Sequence, residues 1–271
     1  MEFPMRKKGR TGLDPMEEIE LFGADGEETV YRLLCDHFGC VIRNPMVPHK
    51  SFYLEKDFLV LHGGSLFVIE VKNWKGTVGC RDGVFYQDKE NGVHKELKSP
   101  VDTTNHFIGC MKKFYGISRP VWGIVAFTDP SCKLSLPGEM DGIALLRLEK
   151  LVSFLCKRAA KEKDAFSEVV DPSRILRCTR LYDTKSEFCK GILANVYLEC
   201  RAEDGAWVRL DTTKLRYLTV EPYSRRESKL YVTFAGGGSG VFFAPLTDLD
   251  MHCLDGSWAR FSLERIRYIV F

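Results

Sequence analysis

The sequence predicts a mixed α/β domain followed by a small all-β module. Three observations carry this expectation. Short β-branched apolar runs at 57–61, 66–72 and 121–127 alternate with helical apolar spacing at 15–38, 101–115 and 148–161. From 180 onward the helical spacing stops, and short strand-like segments are separated by glycine turns. That last segment also repeats itself: DGAWVRLDTTKLRYLTV (204–220) aligns with DGSWARFSLERIRYIVF (255–271), with six identities in seventeen positions.

Taken in order, Pro15 opens a helix carrying Ile19, Leu21, Phe22, Val30, Leu33, Leu34 and Phe38, with Gly39 as its stop. Gly23 and Gly26 interrupt the pattern, so its well-formed part is expected to begin near Asp25. Residues 40–43, 57–61 and 66–72 read as strands, the last two joined by a tight turn at Gly63-Gly64. A hairpin follows around Asp82-Gly83, then a helix at 101–115, a strand at 121–127, a short strand at 143–146 and an amphipathic helix at 148–161. The expected divisions are a tail at 1–14, the α/β domain at 15–165, a linker at 166–179 and the all-β domain at 180–271. The linker reading rests on a charge run and Asp171-Pro172.

Within the all-β segment, RLYDTKSEFCKGIL (180–193) also aligns with KLYVTFAGGGSGVF (229–242), giving a period of 49 residues that grows to 51 after a short insertion. Each copy is too small to bury a core alone, so the two are expected to pack together as a barrel or sandwich. The recurring Trp207, Trp258, Tyr217 and Tyr268 are expected to join them.

The composition is that of a globular protein, 45% hydrophobic and 28% charged, with a net charge of only +2. Nucleic acid would therefore be met by a local patch, not by bulk charge. No apolar run approaches the ~20 residues of a membrane span, and the basic start lacks the apolar stretch of an export signal, so cytoplasm is the expected location. Ten cysteines occur without a Cys-x-x-Cys pair or other zinc spacing, and His37, His49, His62, His94 and His252 show no ligand spacing. His106, one turn into the helix at 101–115, is expected to be a core or surface histidine, with assistance at the site as the alternative.

The stretch LFVIEVKNWKG (66–76) places Glu70 and Lys72 in an otherwise apolar strand. Alternation points both side chains the same way. Antiparallel pairing through Gly63-Gly64 brings Asp57 to the same sheet end, and the preceding helix supplies Glu27. Two carboxylates on adjacent strands suit a hard divalent ion such as Mg²⁺ or Mn²⁺, with Asp57 and Glu70 as its ligands. A lysine on the same face suits attack on a phosphodiester.

Gly23-Ala-Asp-Gly-Glu27-x-x-Val30-x-x-x-Leu34, Asp57-x-x-Val60 and Phe67-Val68-Ile69-Glu70-Val71-Lys72-Asn73-Trp74-x-Gly76 resemble the NERD (nuclease-related) domain family, across roughly residues 15–130. The resemblance implies a restriction-endonuclease-like (PD-(D/E)xK) mixed sheet flanked by helices. It also implies metal-dependent hydrolysis of nucleic acid, DNA above RNA, at Glu27, Asp57, Glu70 and Lys72. The family's following Asn-Pro-x-x-Gln is here Ser99-Pro100-Val101-Asp102-Thr103. Thr103 thus holds the glutamine's place, and Asn105 is the nearest amide. Asn73, Trp74, Lys75, Thr103 and Asn105 are the expected substrate contacts. The all-β segment is expected to position substrate or to recruit a protein partner or a second copy. The alternative expectation is a non-catalytic nucleic-acid- or protein-binding protein on a degenerate nuclease fold.

Overall fold

The computed structural model describes residues 15–89, 91–159, 175–182, 187–195, 197–234 and 238–271, with side chains of the first helix described from Gly26 onward. The expected tail 1–14 and the greater part of the expected linker (166–174) lie outside the described residues.

Helix α1 (Pro15–His37) leads into β1 (Val41–Arg43), the hairpin β2 (Pro45–His49) and β3 (Phe52–Glu55), then β4 (Phe58–His62) and β5 (Ser65–Lys72). A meander follows: β6 (Thr77–Arg81), β7 (Val84–Asp88) and β8 (His94–Leu97). The domain continues with α2 (Pro100–Tyr115), β9 (Val121–Phe127), β10 (Lys133–Ser135), β11 (Glu139–Met140), β12 (Ile143–Arg147) and α3 (Leu148–Ala159).

The central sheet has the order β1-β4-β5-β9-β12-β11. It is mixed: β5, β9 and β12 run parallel, while β1, β4 and β11 pair antiparallel. Such a sheet needs cover on both faces. Phe67, Ile69 and Val71 pack with Val30 and Leu34 of α1 and with Leu151 and Leu155 of α3. The alternate residues Leu66 and Val68 pack with Phe107 and Met111 of α2 on the opposite face. Helix α2 begins sharply because Ser99 Oγ accepts from the Asp102 N–H at 3.1 Å and Pro100 occupies the first turn.

The glycines of α1 do not break it. The helix is continuous, and Gly26 lies where a Cβ would come within 2.9 Å of Thr128 Oγ1 and 3.0 Å of Asn73 Cβ. The missing side chain serves close approach of α1 to the end of β5.

Beyond the α/β part, β13 (Leu176–Arg177) adds to β2. Then come β14 (Thr179–Tyr182), β15 (Glu187–Leu193), β16 (Tyr197–Ala202), β17 (Trp207–Asp211), β18 (Leu215–Pro222), β19 (Glu227–Phe234), β20 (Ser239–Pro245), β21 (Asp248–Cys253), β22 (Trp258–Ser262) and β23 (Tyr268–Val270). These ten form one curled antiparallel sheet in the order β17-β16-β20-β19-β18-β23-β14-β15-β21-β22. The order reads as a near-twofold. The hairpin β14–β15 of the first copy lies between β23 and β21 of the second, and β19–β20 of the second lies between β18 and β16 of the first. The copies have exchanged hairpins. One core results, with Leu181, Leu198, Leu210 and Leu218 of the first copy packed against Leu230, Leu249, Met251 and Ile269 of the second.

The repeated aromatics divide. Tyr217 and Tyr268 stack at the junction of the copies, centroids 5.7 Å apart and rings within 11° of parallel. Trp207 and Trp258, expected in the core, are 66% and 68% exposed. Both stand one residue after the turn of an edge hairpin, where the pleat faces solvent.

Candidate active site

The register Phe58↔Ile69 sets Asp57, the residue before β4, across from Glu70. The Asp57 carboxylate is held there by the Val71 N–H, which donates to Oδ2 at 2.6 Å. Glu70 and Lys72 continue the Leu66–Val68 side of β5 past the point where α2 covers it, so both side chains emerge at the sheet end. Lys72 Nζ bonds Glu70 Oε1. Glu27 enters from α1, with Arg43 Nη2 3.8 Å from its Oε2. The four residues expected to form the site are brought to one place.

The expected substrate contacts fare unevenly. Thr103 is at the site: its Oγ1 lies 3.2 Å from Lys56 Nζ. Asn73 Oδ1 accepts from Thr128 Oγ1 at 3.0 Å, which ties the end of β5 to the end of β9. Trp74 packs inward against Phe127, ring centroids 5.9 Å apart, with Lys72 Nζ 5.7 Å from its ring. Lys75 is exposed, and its carbonyl accepts from Gln87 Nε2. Asn105 is turned away, donating to the Asp141 carbonyl at 3.0 Å. Two residues past Thr103 is about 200° around a helix, so an amide there faces away from the Thr103 side.

Several residues of the cluster escaped the sequence reading. Lys56 is buried, and its Nζ binds Glu70 Oε2 at 2.8 Å, the oxygen that Lys72 leaves. Its neighbour Asp57 was a signal, but a lysine just before an apolar strand reads as a solvated charge. Arg180 reaches from β14 to Glu55 Oε1 at 2.6 Å, and nothing local in the sequence marks it. Glu28, one residue past Glu27, accepts from Arg43 Nη1 at 3.1 Å, from Tyr217 OH at 2.6 Å and from Arg216. The all-β part is thereby anchored beside the site through Arg180, Arg216 and Tyr217.

The electrostatics are those of crowded carboxylates. Burial, and then Glu70 and Glu27, push Asp57 well above the usual carboxylate range, despite Lys72 and the Val71 N–H. Burial also raises Glu27; Arg180 and Arg43 offset part of this, while Glu55 and Glu70 push it further up. Burial would raise Glu70 too, but Lys72 and Lys56 together hold it low. Lys72, which burial alone would lower, is raised by Glu70 and Asp57. An all-oxygen donor set in which Asp57 stays underneutralised fits a hard divalent ion.

Fold and site together define an α/β domain with a carboxylate–lysine cluster at the end of a mixed sheet. Residues 22–128 match the family model NERD, nuclease-related domain, and this part of the chain is similar to that family. No curated protein matches the chain.

Proposed function

We propose that the protein is a metal-dependent nuclease of restriction-endonuclease-like type that hydrolyses phosphodiester bonds of DNA. The observation that carries this reading is the convergence of Glu27, Asp57 and Glu70 with Lys72. Asp57 and Glu70 would hold Mg²⁺ or Mn²⁺. Bound there, the ion would acidify water and neutralise charge developing on phosphorus. Lys72, oriented by Glu70, donates to the attacking oxygen or to a non-bridging phosphate oxygen. Glu27, whose carboxyl burial raises above the ordinary carboxylate value and so makes a better base, accepts the proton of the attacking water. The oxygen–phosphorus bond then forms as the ester bond breaks, and water protonates the leaving alkoxide. Thr103, Asn73 and Lys75 would meet the strand; Trp74 would support the site from within.

The all-β part would position substrate or bind a protein partner. Among the described residues no helix is long and apolar enough to cross a membrane, and we place the protein in the cytoplasm. The test is cleavage of supercoiled plasmid and labelled DNA and RNA strands with Mg²⁺, Mn²⁺ or EDTA, beside Glu70→Ala and Lys72→Ala. Metal-dependent cutting lost in both variants supports the reading; an inert wild type on all substrates overturns it.

One observation favours a second reading, a non-catalytic nucleic-acid- or protein-binding protein on this fold. With Lys56 on Oε2 and Lys72 on Oε1, both oxygens of Glu70 already carry ammonium partners. A buried lysine would then stand where an ion would bind, and binding of DNA without cutting, insensitive to EDTA, would distinguish it.

A further inference from the structure

We propose a second metal site, for Zn²⁺, formed by His49, His106 and Cys110 in the groove between the β2–β3 hairpin and α2. It is separate from the carboxylate cluster in position and in chemistry. His106 and Cys110 are four residues apart on α2, so their side chains share a face. His49 closes β2 and points at that face. Its Nδ1 lies 3.2 Å from Cys110 Sγ, and its ring meets the His106 ring edge-on at 4.6 Å. One ligand atom from each of the three residues lies within 4.8 Å of the other two. Phe52, across the hairpin turn, packs edge-on against His49 at 5.1 Å and fixes that ring.

Tetrahedral zinc with nitrogen at about 2.0–2.1 Å and thiolate sulfur at about 2.3 Å requires donors roughly 3.3–3.7 Å apart. The His49–Cys110 pair, at 3.2 Å, is a few tenths of an ångström closer than this, so a small side-chain adjustment admits the ion. His106 is exposed, so a rotation of its side chain closes the remaining gap without moving backbone. Two imidazoles and a thiolate select a borderline ion over Mg²⁺, which prefers oxygen. Three protein donors leave a fourth position for water or an anionic oxygen, the pattern of exchangeable and catalytic zinc rather than of a closed structural site. His106 is three residues, about 4.5 Å of helical rise, beyond Thr103. The zinc would therefore lie along the same helix that reaches the carboxylate cluster.

The test uses the full chain, stripped of metal and titrated with Zn²⁺ and with Co²⁺ as the spectroscopic probe. Expected are one tight Zn²⁺ per chain and a near-ultraviolet thiolate-to-cobalt charge-transfer band with tetrahedral d–d absorption. Cys110→Ser should abolish the charge-transfer band, and His106→Ala should weaken Zn²⁺ binding at least tenfold. Asp57→Asn/Glu70→Gln should leave both signals intact, which separates this site from the oxygen site. Circular dichroism of the variants checks that they fold. A wild type without the band, a band that survives Cys110→Ser, or Zn²⁺ affinity unchanged in His106→Ala would each overturn the proposal. His49 and Cys110 would then be an ordinary hydrogen-bonded pair.

Discussion

Lys56 Nζ sits 2.8 Å from Glu70 Oε2, on the carboxylate oxygen opposite the one that Lys72 holds. Two ammonium groups on one carboxylate keep Glu70 ionised. They also oppose a cation there, since like charges at short range in a half-buried site repel strongly.

Replacing Lys56 separates the two functional readings. Lys56→Met keeps the aliphatic packing and frees Glu70 Oε2, while Lys72 still pairs with Glu70. We expect Mg²⁺ to bind several-fold more tightly than to wild type, read as a larger Mg²⁺-induced rise in Tm. Unchanged or weaker binding would show that Lys56 does not compete with the ion.

Lys72 is expected to contribute to the chemical step more than to binding. Lys72→Ala should lower kcat by about 10²–10³-fold, the usual cost of losing one preorganised donor to developing charge. Lys72→Arg should restore little, because the planar guanidinium does not reproduce a point ammonium charge. Single-turnover cleavage resolves the step, and an equal loss in KM with kcat intact would contradict this role.

Asp57 gives the metal-free protein a pH dependence whose sign follows from its raised folded-state pKa. Between the unfolded carboxylate value and the folded one, the native state binds the extra proton, so stability falls as pH rises through that window. Asp57→Asn removes this slope. At pH 7 it should stabilise the metal-free protein by about 0.5–2 kcal/mol, while abolishing stabilisation by Mg²⁺. Denaturant melts at several pH values with EDTA check both; a steeper decline in the variant would be fatal to the argument.

Gly26→Ala reverses the ordinary rule. In a helix interior the change commonly stabilises by about 1 kcal/mol, but here the new Cβ would press on Thr128 Oγ1 and Asn73. We expect a loss of about 1–3 kcal/mol from overpacking, and weaker cleavage because Glu27 moves with α1. A raised Tm would show that the approach of α1 to β5 is loose.

Glu28 ties the two parts of the chain together. Glu28→Ala leaves Arg216, Arg43 and the Tyr217 hydroxyl without their shared acceptor. The expected cost is about 1.5–3 kcal/mol, with earlier proteolysis between the α/β and all-β parts. An unchanged Tm together with unchanged proteolysis would mean that other contacts, such as Arg180–Glu55, carry the docking.

What the sequence determined by itself was local and periodic. Alternation in 66–72 put Glu70 and Lys72 on one side of a strand. Gly63-Gly64 set the hairpin that places Asp57 opposite. These follow from the strand period of 2 and from turn chemistry, which a few neighbouring residues encode. The aligned segments likewise showed two copies of one β unit.

Tertiary structure decided what depends on register and packing between distant segments. It placed Lys56 on Glu70, turned Asn105 to Asp141, and brought Arg180, Arg216 and Tyr217 to Glu28 and Glu55. It exchanged the hairpins of the two copies and left Trp207 and Trp258 on the outer pleat. It brought His49 to His106 and Cys110, which the helix already sets on one face, because only the packing of α2 against β2 makes His49 their neighbour.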